Sequence, residues 1–434
     1  MTPSPRRVGF YVDDLWAGGM QKVMIALARG IAERGHTVQV LTCDARGPLA
    51  ATLPPSVEVV ALEPVPRLLA RLYPFLADPG AALELLRPVL LPLRPLPTLP
   101  YLPALARHLR RAHLDGLISA SPVANLEAIW ARSLAGVSTR LLVTLHVTLS
   151  EVAPNTRRWR RKYLPALIRR TYAKADAIAV VCDALGDDFA AVSGLPRERI
   201  QTIYNPVVSP EIEAKAREPL EHPWFAEGAP PVLLGAGRIG NQKDFATLVR
   251  AFARVRAQRA ARLVILGEAK DAARNTTRVA ALRELAEQLG VSADVDFPGF
   301  AANPFAYMAR AAVFVLSSRY EGLGNVLIEA MACGCPVVST DCPVGPSEIL
   351  EGGRYGPLVP VGDDAALSDA ILRTLDAPPQ ASLLRARAAT FSVDRAVDRY
   401  VAVLFDGDAA SPSAAASRSS GRSMSSVAPP FSTR

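Results

Sequence analysis

Residues 313–332 read Val-Phe-Val-Leu-Ser-Ser-Arg-Tyr-Glu-Gly-Leu-Gly-Asn-Val-Leu-Ile-Glu-Ala-Met-Ala, which predicts a buried strand, a loop and the beginning of a helix. If the helix begins near Gly324 or Asn325, Glu329 lies just over one turn into it and Glu321 lies on the loop before it. Both carboxylates can then face one ligand, with the free N–H groups of the helix N-terminus between them. That order suits the hydroxyls of a sugar, a diphosphate and the hydroxyls of a ribose. Spacing alone also allows a capping acid followed by a solvent-exposed helical glutamate.

The quoted stretch belongs to a series of alternating strand-like and helical segments. The strand candidates of the series are 231–234, 262–266, 295–297, 312–316 and 336–339. The helix candidates between them include 244–258 and 278–289, and 336–339 is predicted to be the last strand. Strands that alternate with amphipathic helices predict a parallel sheet covered by helices.

A second series of the same kind opens the chain. It begins with a strand, a helix and a strand at 7–12, 20–34 and 36–42, and continues with strand candidates at 116–119, 141–145 and 177–182. Because 434 residues are too many for one core, the predicted fold class is α/β, with two Rossmann-like doubly wound domains facing a central cleft. The predicted organisation is an N-terminal domain, a C-terminal domain, a closing helix and a disordered Ser/Ala-rich tail, at 1–208, 209–388, 389–406 and 407–434.

A Leu-rich segment at 64–103 contains ten prolines, which exclude regular strand or long helix there. The composition predicts short helices and loops that expose apolar surface near the cleft. An ordinary packed insertion is the alternative.

The net charge of +8 is concentrated in one part of the chain. Residues 151–174 carry eight Lys or Arg and one Glu, a net +7, while 411–434 carry three Arg and no acid, so the remainder sums to −2. This placement argues against a nucleic-acid surface and for a local patch. Aromatic and aliphatic residues recur among these cations as on a helix that lies on anionic lipid. A solvated surface helix, kinked at Pro165, is the alternative. The patch comprises Arg157, Arg158, Arg160, Arg161 and Lys162.

The sequence also predicts where the protein resides. No uncharged stretch approaches the about 20 apolar residues of a membrane span, and the N-terminus shows no signal-peptide pattern. Five cysteines, an odd number, suit reduced thiols. We therefore expect a cytoplasmic protein, peripheral to the inner face of the plasma membrane if the basic patch binds lipid.

The segment Gly235-Ala-Gly-Arg-Ile-Gly240 is predicted to follow a strand and to open a helix, and it matches the dinucleotide fingerprint G-x-G-x-x-G. The acid that such a fold needs about 20 residues later is Glu268 at best, 28 residues after Gly240. Arg238 and Lys243 are two cations near a helix N-terminus, which suit a terminal or leaving diphosphate. A tight surface turn without a ligand remains the alternative.

With these motifs in view, the chain resembles the family 4 retaining glycosyltransferases of the GT-B fold. The resemblance is carried by Glu321-x7-Glu329, the flanking Ser-Arg-Tyr-Glu-Gly and Glu-Ala-Met-Ala-Cys-Gly-Cys-Pro, and Gly-Pro-Ser-Glu-Ile-Leu350. It extends to Gly237-Arg238, to Asn-Gln-Lys-Asp244, to the Gly18-Gly19 loop and to Ile203-Tyr-Asn-Pro-Val207. It is dense in the C-terminal domain and thin in the N-terminal domain, which implies nucleotide-sugar binding by the domain at 209–388 and acceptor binding by the domain at 1–208.

The resemblance implies a role for each candidate residue. Arg238 and Lys243 would clamp the diphosphate, Glu329 would bind the ribose and Glu321 would hold hydroxyls of the donor sugar. His146 matches a histidine near the transferred sugar, although a lone histidine can equally be a core residue. The remaining donor-binding candidates are Gly18, Gly19, Gly237, Gly322, Leu323, Gly324, Asn325 and Val326.

The resemblance also implies catalysis without a metal or other cofactor, since the cations take over charge neutralisation. Cys333, Cys335 and Cys342 have neither the spacing nor the histidine partners of a zinc site, and we interpret them as buried thiols.

The function expected from the resemblance is transfer of a hexose or N-acetylhexosamine, with retention, from a nucleotide-diphosphate sugar. A UDP-sugar is the expected donor, and a hydroxyl of a glycan or lipid-linked acceptor in cell-envelope synthesis is the expected target. Three alternatives stay open: a glucan- or sucrose-type synthase, a nicotinamide oxidoreductase and a non-catalytic scaffold.

Overall fold

The computed structural model describes residues 4–16, 18–86, 89, 96–150, 158–269 and 272–405, and of residues 83, 158–164 and 272 it describes the backbone alone. Within these ranges the chain forms two parallel sheets, of seven and six strands, with helices on their faces. The predicted α/β fold with two doubly wound domains is therefore confirmed. The predicted domain boundaries stay a prediction.

The N-terminal sheet has the strand order β3-β2-β1-β4-β5-β6-β7. Its strands are β1 (Arg7–Asp14), β2 (Thr37–Asp44), β3 (Val57–Ala61), β4 (Gly116–Ala120), β5 (Arg140–Leu145), β6 (Ala177–Val180) and β7 (Ile200–Thr202). Its helices are α1 (Gly19–Glu33), α2 (Arg67–Ala70), α3 (Tyr73–Ala77), α4 (Ala82–Leu85), α5 (Leu102–Ala112), α6 (Pro122–Ala135), α7 (Arg158–Tyr172) and α8 (Asp183–Ser193). Since every pairing is parallel, the carboxyl ends of these strands share one edge of the sheet.

The C-terminal sheet has the order β10-β9-β8-β11-β12-β13. Its strands are β8 (Val232–Ala236), β9 (Arg262–Leu266), β10 (Val295–Gly299), β11 (Val313–Leu316), β12 (Val337–Thr340) and β13 (Leu358–Val359). The helices of this half are α9 (Pro210–Ala216), α10 (Phe245–Arg256), α11 (Ala272–Gln288), α12 (Pro304–Met308), α13 (Asn325–Ala332), α14 (Pro346–Ile349), α15 (Asp364–Asp376), α16 (Ala381–Ala388) and α17 (Val393–Phe405).

The last helix, α17, returns to the N-terminal domain. Its Val397 and Tyr400 are fully buried in one apolar cluster with Val8 and Phe10 of β1 and with residues of α1. On the way back, Val207 and Val208 both donate backbone hydrogen bonds to the carbonyl of Phe391, at 3.0 Å each. The chain thus crosses between the domains twice, which holds their carboxyl edges face to face.

The Pro-rich segment forms short helices, as predicted. Between β3 and α5 the longest described helix is α3, with five residues. One face of the segment is packed against the core and the other exposes leucines, so the expected apolar surface is present.

Several details differ from the sequence prediction. Segment 336–339 is not the last strand, because the two-residue β13 follows it and is too short to leave a periodic signal. Strands β3 and β7 were not predicted at all, and α11 begins six residues before the predicted start at 278. Helix α7 continues through Pro165, and the burial of Leu167 and Ile168 holds its second half in place. The predicted tail at 407–434 lies outside the described residues.

Candidate active site

Two loops of the C-terminal domain meet at the carboxyl ends of β8 and β11. The ammonium Nζ of Lys243 lies 2.7 Å from Oε1 of Glu321, and both side chains are largely buried, with 13% and 8% of their surface exposed. Ser318 Oγ donates to the same carboxylate oxygen at 2.6 Å, and Gln242 Nε2 lies 3.4 Å from the other one. The structure thus places the first of the two predicted glutamates in contact with a predicted phosphate-binding cation.

Further contacts tie the two loops together. Backbone N–H of Arg319 donates to the carbonyl of Gln242 at 2.8 Å, and Ser317 Oγ donates to the carbonyl of Lys243 at 2.8 Å. Arg319 Nε also lies 3.0 Å from Oδ2 of Asp244. The carboxylate of Asp244 is buried, and its backbone adopts the left-handed conformation at φ 43°. The relative position of Lys243 and Glu321 is therefore set by backbone as well as by side chains.

The glycine loop works differently from a dinucleotide fingerprint. Gly235 lies inside β8, and helix α10 begins only at Phe245, so the loop does not open the helix directly as predicted. Gly237 has φ 147°, and a Cβ there would come within 2.6 Å of Lys243 Cε. A Cβ on Gly267 would lie 2.1 Å from the carbonyl oxygen of Gly237. The glycines give room for the Lys243 side chain and for close strand packing.

The surroundings of Arg238 and Glu268 distinguish a dinucleotide-binding loop from a loop that binds a terminal or leaving diphosphate. Arg238 is exposed, and no hydrogen bond or ion pair engages it within the described residues. It remains able to pair with a ligand anion. Glu268 instead accepts a hydrogen bond from the backbone N–H of Phe300, at 3.4 Å from its Oε1.

Helix α13 begins where predicted, with Gly324 as its N-cap at φ 98°. Glu329 is half-buried one turn into the helix, and burial raises its pKa, while the positive charges of Lys22 and Lys243 oppose that rise. Lys22 comes from α1 of the other domain and had no sequence signal. The second predicted glutamate therefore lies between cations of both lobes.

The other predicted residues of this loop divide by exposure. Leu323 is buried in the core, so it can offer a ligand only its backbone, whereas Val326 is half-buried. Asn325 accepts a hydrogen bond from Asn205 Nδ2 at 2.8 Å. Asn205 belongs to the Tyr-Asn-Pro segment at the domain join, and its direct role in the site was missed because one buried amide leaves no periodic pattern.

His146 follows β5 and faces the C-terminal domain. A Cβ on Gly322 would meet the carbonyl oxygen of His146 at 2.0 Å, and Thr148 Oγ1 donates to the carbonyl of Glu321 at 3.1 Å. Burial lowers the pKa of His146 to about 4, against an opposing contribution from Asn205, so the imidazole is neutral near pH 7. Thr144 Oγ1 lies 2.9 Å from its Nε2. The predicted histidine is thus next to the predicted glutamate loop.

Two buried polar side chains lie close together at this junction. Neither His146 Nδ1 nor Asn205 Oδ1 forms a hydrogen bond of good geometry with the described residues. The Asn205 side chain is nevertheless near enough to oppose, by hydrogen bonding, the fall that burial causes in the His146 pKa. The two groups can therefore satisfy each other, and neither needs a ligand for its hydrogen bond.

Gly18 and Gly19 begin helix α1 at the same edge of the N-terminal sheet. Gly18 is its N-cap, and a Cβ at Gly18 would meet only the flexible side chain of Gln21, 2.1 Å away. A Cβ at Gly19 would meet nothing within 4 Å. The helix N-terminus is therefore open to a ligand.

A second contact between the lobes lies beside the site. Backbone N–H of Asp183, at the start of α8, donates to Glu348 Oε2 at 2.9 Å. Cys182 Sγ also lies 3.3 Å from the carbonyl of Gly322. Glu348 lay in a motif noted from the sequence, but its partner across the cleft was not predicted.

The predicted basic patch falls largely outside the described residues. Arg157 lies outside the described residues, as do the side chains of Arg158, Arg160, Arg161 and Lys162. All three cysteines of the 333–342 region are free and buried, which confirms them as thiols, and burial raises the pKa of Cys333 to about 12.

Among the described residues, no three His, Cys, Asp or Glu side chains are grouped as around a metal ion. None of the described helices is long and apolar enough to cross a membrane.

Comparison with solved structures identifies the architecture. HepE of Anabaena, crystallised with UDP, aligns with a TM-score of 0.69 over 92% of this chain and 100% of its own, at 21% identity. Sucrose-phosphate synthase from Thermosynechococcus elongatus aligns with a TM-score of 0.71 over 94% and 100%, at 20% identity. At these identities the likeness shows the fold alone, and that fold is GT-B.

Sequence comparison identifies the family. Residues 17–209 match "Glycosyltransferase Family 4" and residues 230–377 match "Glycosyl transferases group 1", so both halves of the site are included. The chain therefore belongs to the family 4 glycosyltransferases. This result sets aside the oxidoreductase alternative for the glycine loop.

Two relatives indicate the range of chemistry in the family. One is the N-acetylgalactosamine-N,N'-diacetylbacillosaminyl-diphospho-undecaprenol 4-alpha-N-acetylgalactosaminyltransferase of Campylobacter jejuni, 31% identical over 48% of this chain and 53% of its own length. The other is the lipopolysaccharide core biosynthesis glycosyltransferase LpsE of Rhizobium meliloti, 35% identical over 44% and 52%. The chain spans about half the length of both.

Proposed function

We propose that this chain transfers a hexose or N-acetylhexosamine from a nucleotide-diphosphate sugar, with UDP as the nucleotide, to a hydroxyl of a glycan or lipid-linked acceptor. The observation that carries the proposal is that Lys243 pairs with Glu321 and opposes the rise in the pKa of Glu329, while the backbone of His146 lies against Gly322, the residue next to Glu321. Support for the donor comes from the UDP complex of HepE, and support for the acceptor comes from the relatives that act in envelope glycan synthesis.

The chemistry of the transfer fits the charges of the site. Cleaving the bond between sugar and diphosphate builds negative charge on the leaving oxygen. Arg238, Lys243 and the N-terminus of α13 can stabilise that charge. The carboxylate of Glu321 stabilises the positive charge that develops on the anomeric carbon, while Glu329 accepts from the ribose hydroxyls.

The resemblance to retaining glycosyltransferases implies retention of configuration, and the contacts of Glu321 bear on how retention is achieved. Its carboxylate is engaged by Lys243 and Ser318, which lowers its power as a nucleophile. We therefore propose front-side attack, in which the leaving phosphate receives the proton of the acceptor hydroxyl. His146, neutral near pH 7, acts as a hydrogen-bonding group for a sugar hydroxyl rather than as a general acid.

The first experiment identifies the donor. Thermal unfolding is followed with UDP-, GDP- and ADP-sugars, because a ligand that binds only the native state raises stability by RT ln(1 + [L]/Kd). We expect a UDP-sugar to raise the Tm most and to be consumed when acceptor is added, with retention seen in the NMR spectrum of the product. Stabilisation by none of the three, together with no transfer, would contradict the proposed function.

A matched pair of variants tests the two cations. Lys243→Ala and Arg238→Ala should each lower kcat by roughly 10² to 10³, as the loss of a preorganised charge does. Only Lys243→Ala should also lower the Tm, because it leaves Glu321 buried without its cation, whereas Arg238 is exposed. Wild-type turnover in either variant would remove that residue from the diphosphate site.

Metal independence is part of the proposal. The positive charges of Arg238 and Lys243 provide the neutralisation that a divalent cation provides elsewhere. Activity should therefore persist in EDTA. A loss of activity in EDTA that Mg²⁺ or Mn²⁺ restores would overturn this point.

The basic patch (Arg157, Arg158, Arg160, Arg161 and Lys162) is proposed to face an anionic membrane surface, where a lipid-linked acceptor would be found. Replacing Arg157, Arg158, Arg160 and Arg161 by Ser should abolish binding to anionic vesicles at low salt while sparing donor affinity. Full binding by the quadruple variant would mean that the patch is a solvated face.

A further inference from the structure

Trp16 is an exposed tryptophan at the carboxyl edge of the N-terminal sheet. It follows the last residue of β1 by two positions and precedes Gly18, the N-cap of α1, by two. Its surface is 53% exposed, whereas among the described side chains Trp130 is buried and Trp224 is half-buried. A tryptophan ring offers a large apolar area, and truncation of this residue type often costs much of the affinity of a binding site. The place of Trp16 beside the cleft favours contact with a ligand.

The surrounding loops hold Trp16 in a fixed position. Its backbone N–H donates to Asp14 Oδ1 at 3.0 Å, and its indole Nε1–H donates to Asp44 Oδ2 at 3.4 Å. The loop after β2 packs against this turn, because a Cβ on Gly47 would lie 2.5 Å from the backbone N of Trp16. A side chain that is already fixed loses little conformational entropy when a ligand stacks on it.

Asp13 brings a carboxyl group to the same edge. Its Oδ1 forms no hydrogen bond of good geometry with the described residues, although Ser121 is near enough to lower the pKa by hydrogen bonding. Burial and the charge of Asp14 outweigh that contribution and raise the pKa of Asp13 to about 6. The neighbouring Glu127 holds a proton near pH 7, because burial raises its pKa to about 8. Asp13 is therefore mostly ionised near pH 7, and a carboxylate can accept several hydrogen bonds.

Asp13 and Ser121 lie where the strand order of the N-terminal sheet reverses. Strands β2 and β3 are on one side of β1, and β4 to β7 are on the other. Tyr11 of β1 is paired with Ser119 of β4, so Asp13 and Ser121 follow at the carboxyl ends of the same two strands. In open α/β sheets, ligands bind in the crevice outside such a reversal. The loop that carries Trp16 borders this crevice.

The charges at this edge disfavour an anionic ligand group. Arg46 is engaged by Asp44, with its Nε 2.9 Å from Oδ1. The positive charge of Lys22, near the start of α1, acts on the C-terminal domain across the cleft. Asp13 and Asp14 form no ion pair within the described part of the chain. Two uncompensated carboxylates would repel a phosphate placed beside them.

We propose that Trp16 and Asp13 form an acceptor subsite for a neutral sugar ring, which stacks on the indole and donates hydroxyl hydrogen bonds to the carboxylate. The C–H groups on one face of a pyranose form an apolar surface, and the hydroxyls around its rim are hydrogen-bond donors. An aromatic ring beside a carboxylate matches both properties, whereas an acceptor phosphate matches neither. The inference rests on the proposed function and deepens it, because it names the chemistry of the acceptor group.

Saturation-transfer NMR tests the subsite with methyl glycosides of glucose, galactose, mannose and N-acetylglucosamine, with and without saturating UDP. We expect at least one glycoside to receive saturation, mainly at the C–H protons of one ring face. Trp16→Leu keeps an apolar side chain but removes the ring, and it should weaken that binding at least about tenfold. Trp16→Phe keeps a ring and should stay within about threefold of the wild type. Because Trp16 is exposed, both variants should retain the wild-type Tm.

The matched control is Phe300→Leu. Phe300 is an aromatic residue exposed to 68%, and it follows β10 in the other domain. Its replacement should leave glycoside affinity unchanged. The proposal would be overturned by the absence of glycoside binding under both conditions, by equal affinities of Trp16→Leu and the wild type, or by an equal loss in Phe300→Leu.

A second measurement tests Asp13 through the charge of the ligand. The wild type should bind methyl glucoside at least about tenfold more tightly than its 6-phosphate, because the carboxylate repels the phosphate. Asp13→Asn should weaken binding of the neutral glycoside and reduce the preference to less than about threefold. A merely structural role of Asp13 would not change this preference. An unchanged preference in Asp13→Asn, or a wild type that prefers the phosphate, would contradict the assignment.

Binding of UDP-sugars is measured on the same samples, which separates this proposal from the proposed function. If the wild type binds a UDP-sugar but no glycoside, the acceptor subsite is wrong and the proposed function stands. If it binds a glycoside through Trp16 but no UDP-sugar, the sugar subsite stands and the proposed function is wrong.

Discussion

The buried pair of Lys243 and Glu321 sets the electrostatics of the site at the residue scale. Each charge offsets the desolvation cost of the other, and removal of one partner leaves a buried charge uncompensated. Because Glu321 already neutralises Lys243, the proposed diphosphate would depend chiefly on the exposed Arg238 and the α13 N-terminus. This division between a buried and an exposed cation is what the paired alanine variants test.

Gly19→Ala isolates the contribution of a ligand. A Cβ at this position meets no protein atom within 4 Å, so we expect the free energy of unfolding to stay constant or to rise by up to about 1 kcal/mol. If a diphosphate or acceptor approaches the backbone here, kcat/KM should fall at least about tenfold. Urea unfolding and transfer kinetics on one preparation provide the measurement. Unchanged kcat/KM would remove Gly19 from the ligand-binding surface.

Glu127 predicts a pH dependence of stability. This carboxyl is buried without a cation, accepts hydrogen bonds from Tyr11 and Thr98 at 2.7 Å each, and burial raises its pKa to about 8. Between the unfolded value near 4.5 and 8, the folded state holds a proton that the unfolded chain has lost, so stability falls as pH rises. The slope is on the order of 1.4 kcal/mol per pH unit at most.

The variant Glu127→Gln should remove that slope. Urea unfolding of wild type and variant is compared from pH 5 to 9, and the difference between them should shift in favour of the variant as pH rises to about 8. His146 acts in the opposite sense: its pKa is lowered to about 4, so its contribution is lost as pH falls below 6.5. A difference that is independent of pH would contradict the assignment to Glu127.

At the element scale, the site depends on contacts between two loops, one after β8 and one after β11. Asp244 ends the glycine loop in the left-handed region, receives Thr247 Oγ1 at 2.9 Å and pairs with Arg319 on the other loop. Its neighbour Lys243 is positioned by this turn. The carboxylate of Asp244 therefore links the two loops of the site.

Asp244→Ala should lower stability by about 2–3 kcal/mol, from lost hydrogen bonds and a left-handed alanine. Turnover should fall roughly tenfold with little change in KM, because Lys243 would be less well placed. Asp244→Asn should lose less on both counts, since asparagine tolerates this conformation and can still accept from Thr247. Tm and transfer kinetics measure both effects, and an alanine variant as active as the wild type would show that the turn is not needed.

At the scale of the whole molecule, the two lobes touch where Gly322 lies against the backbone of His146. Contacts of Thr148 and Glu348 add to this junction. The contact brings the histidine of one domain to the glutamate loop of the other. Closure of this kind excludes water, which would otherwise hydrolyse the donor.

Gly322→Ala should block closure while leaving each domain folded. Its Cβ would lie 2.0 Å from the carbonyl oxygen of His146, a backbone atom that cannot turn aside as a side chain can. We expect transfer to fall by about 10² or more while UDP affinity, measured by calorimetry, changes less than about threefold. Small-angle scattering should show a more open molecule. Equal losses in UDP affinity and turnover would argue for local damage to the donor site.

The sequence by itself determined the two doubly wound domains, the start of α13 and the identity of Glu321, Glu329, Lys243 and Arg238 as candidates. These features are local: buried strands, helix periodicity and glycine-rich turns are written in neighbouring residues. Only the tertiary structure decided that Lys243 pairs with Glu321, and that Lys22 and Asn205 lie near Glu329 and Asn325 of α13. Those partners are separated by tens to more than a hundred residues, and their contacts arise from how the sheets pack and the lobes meet, which no local pattern records.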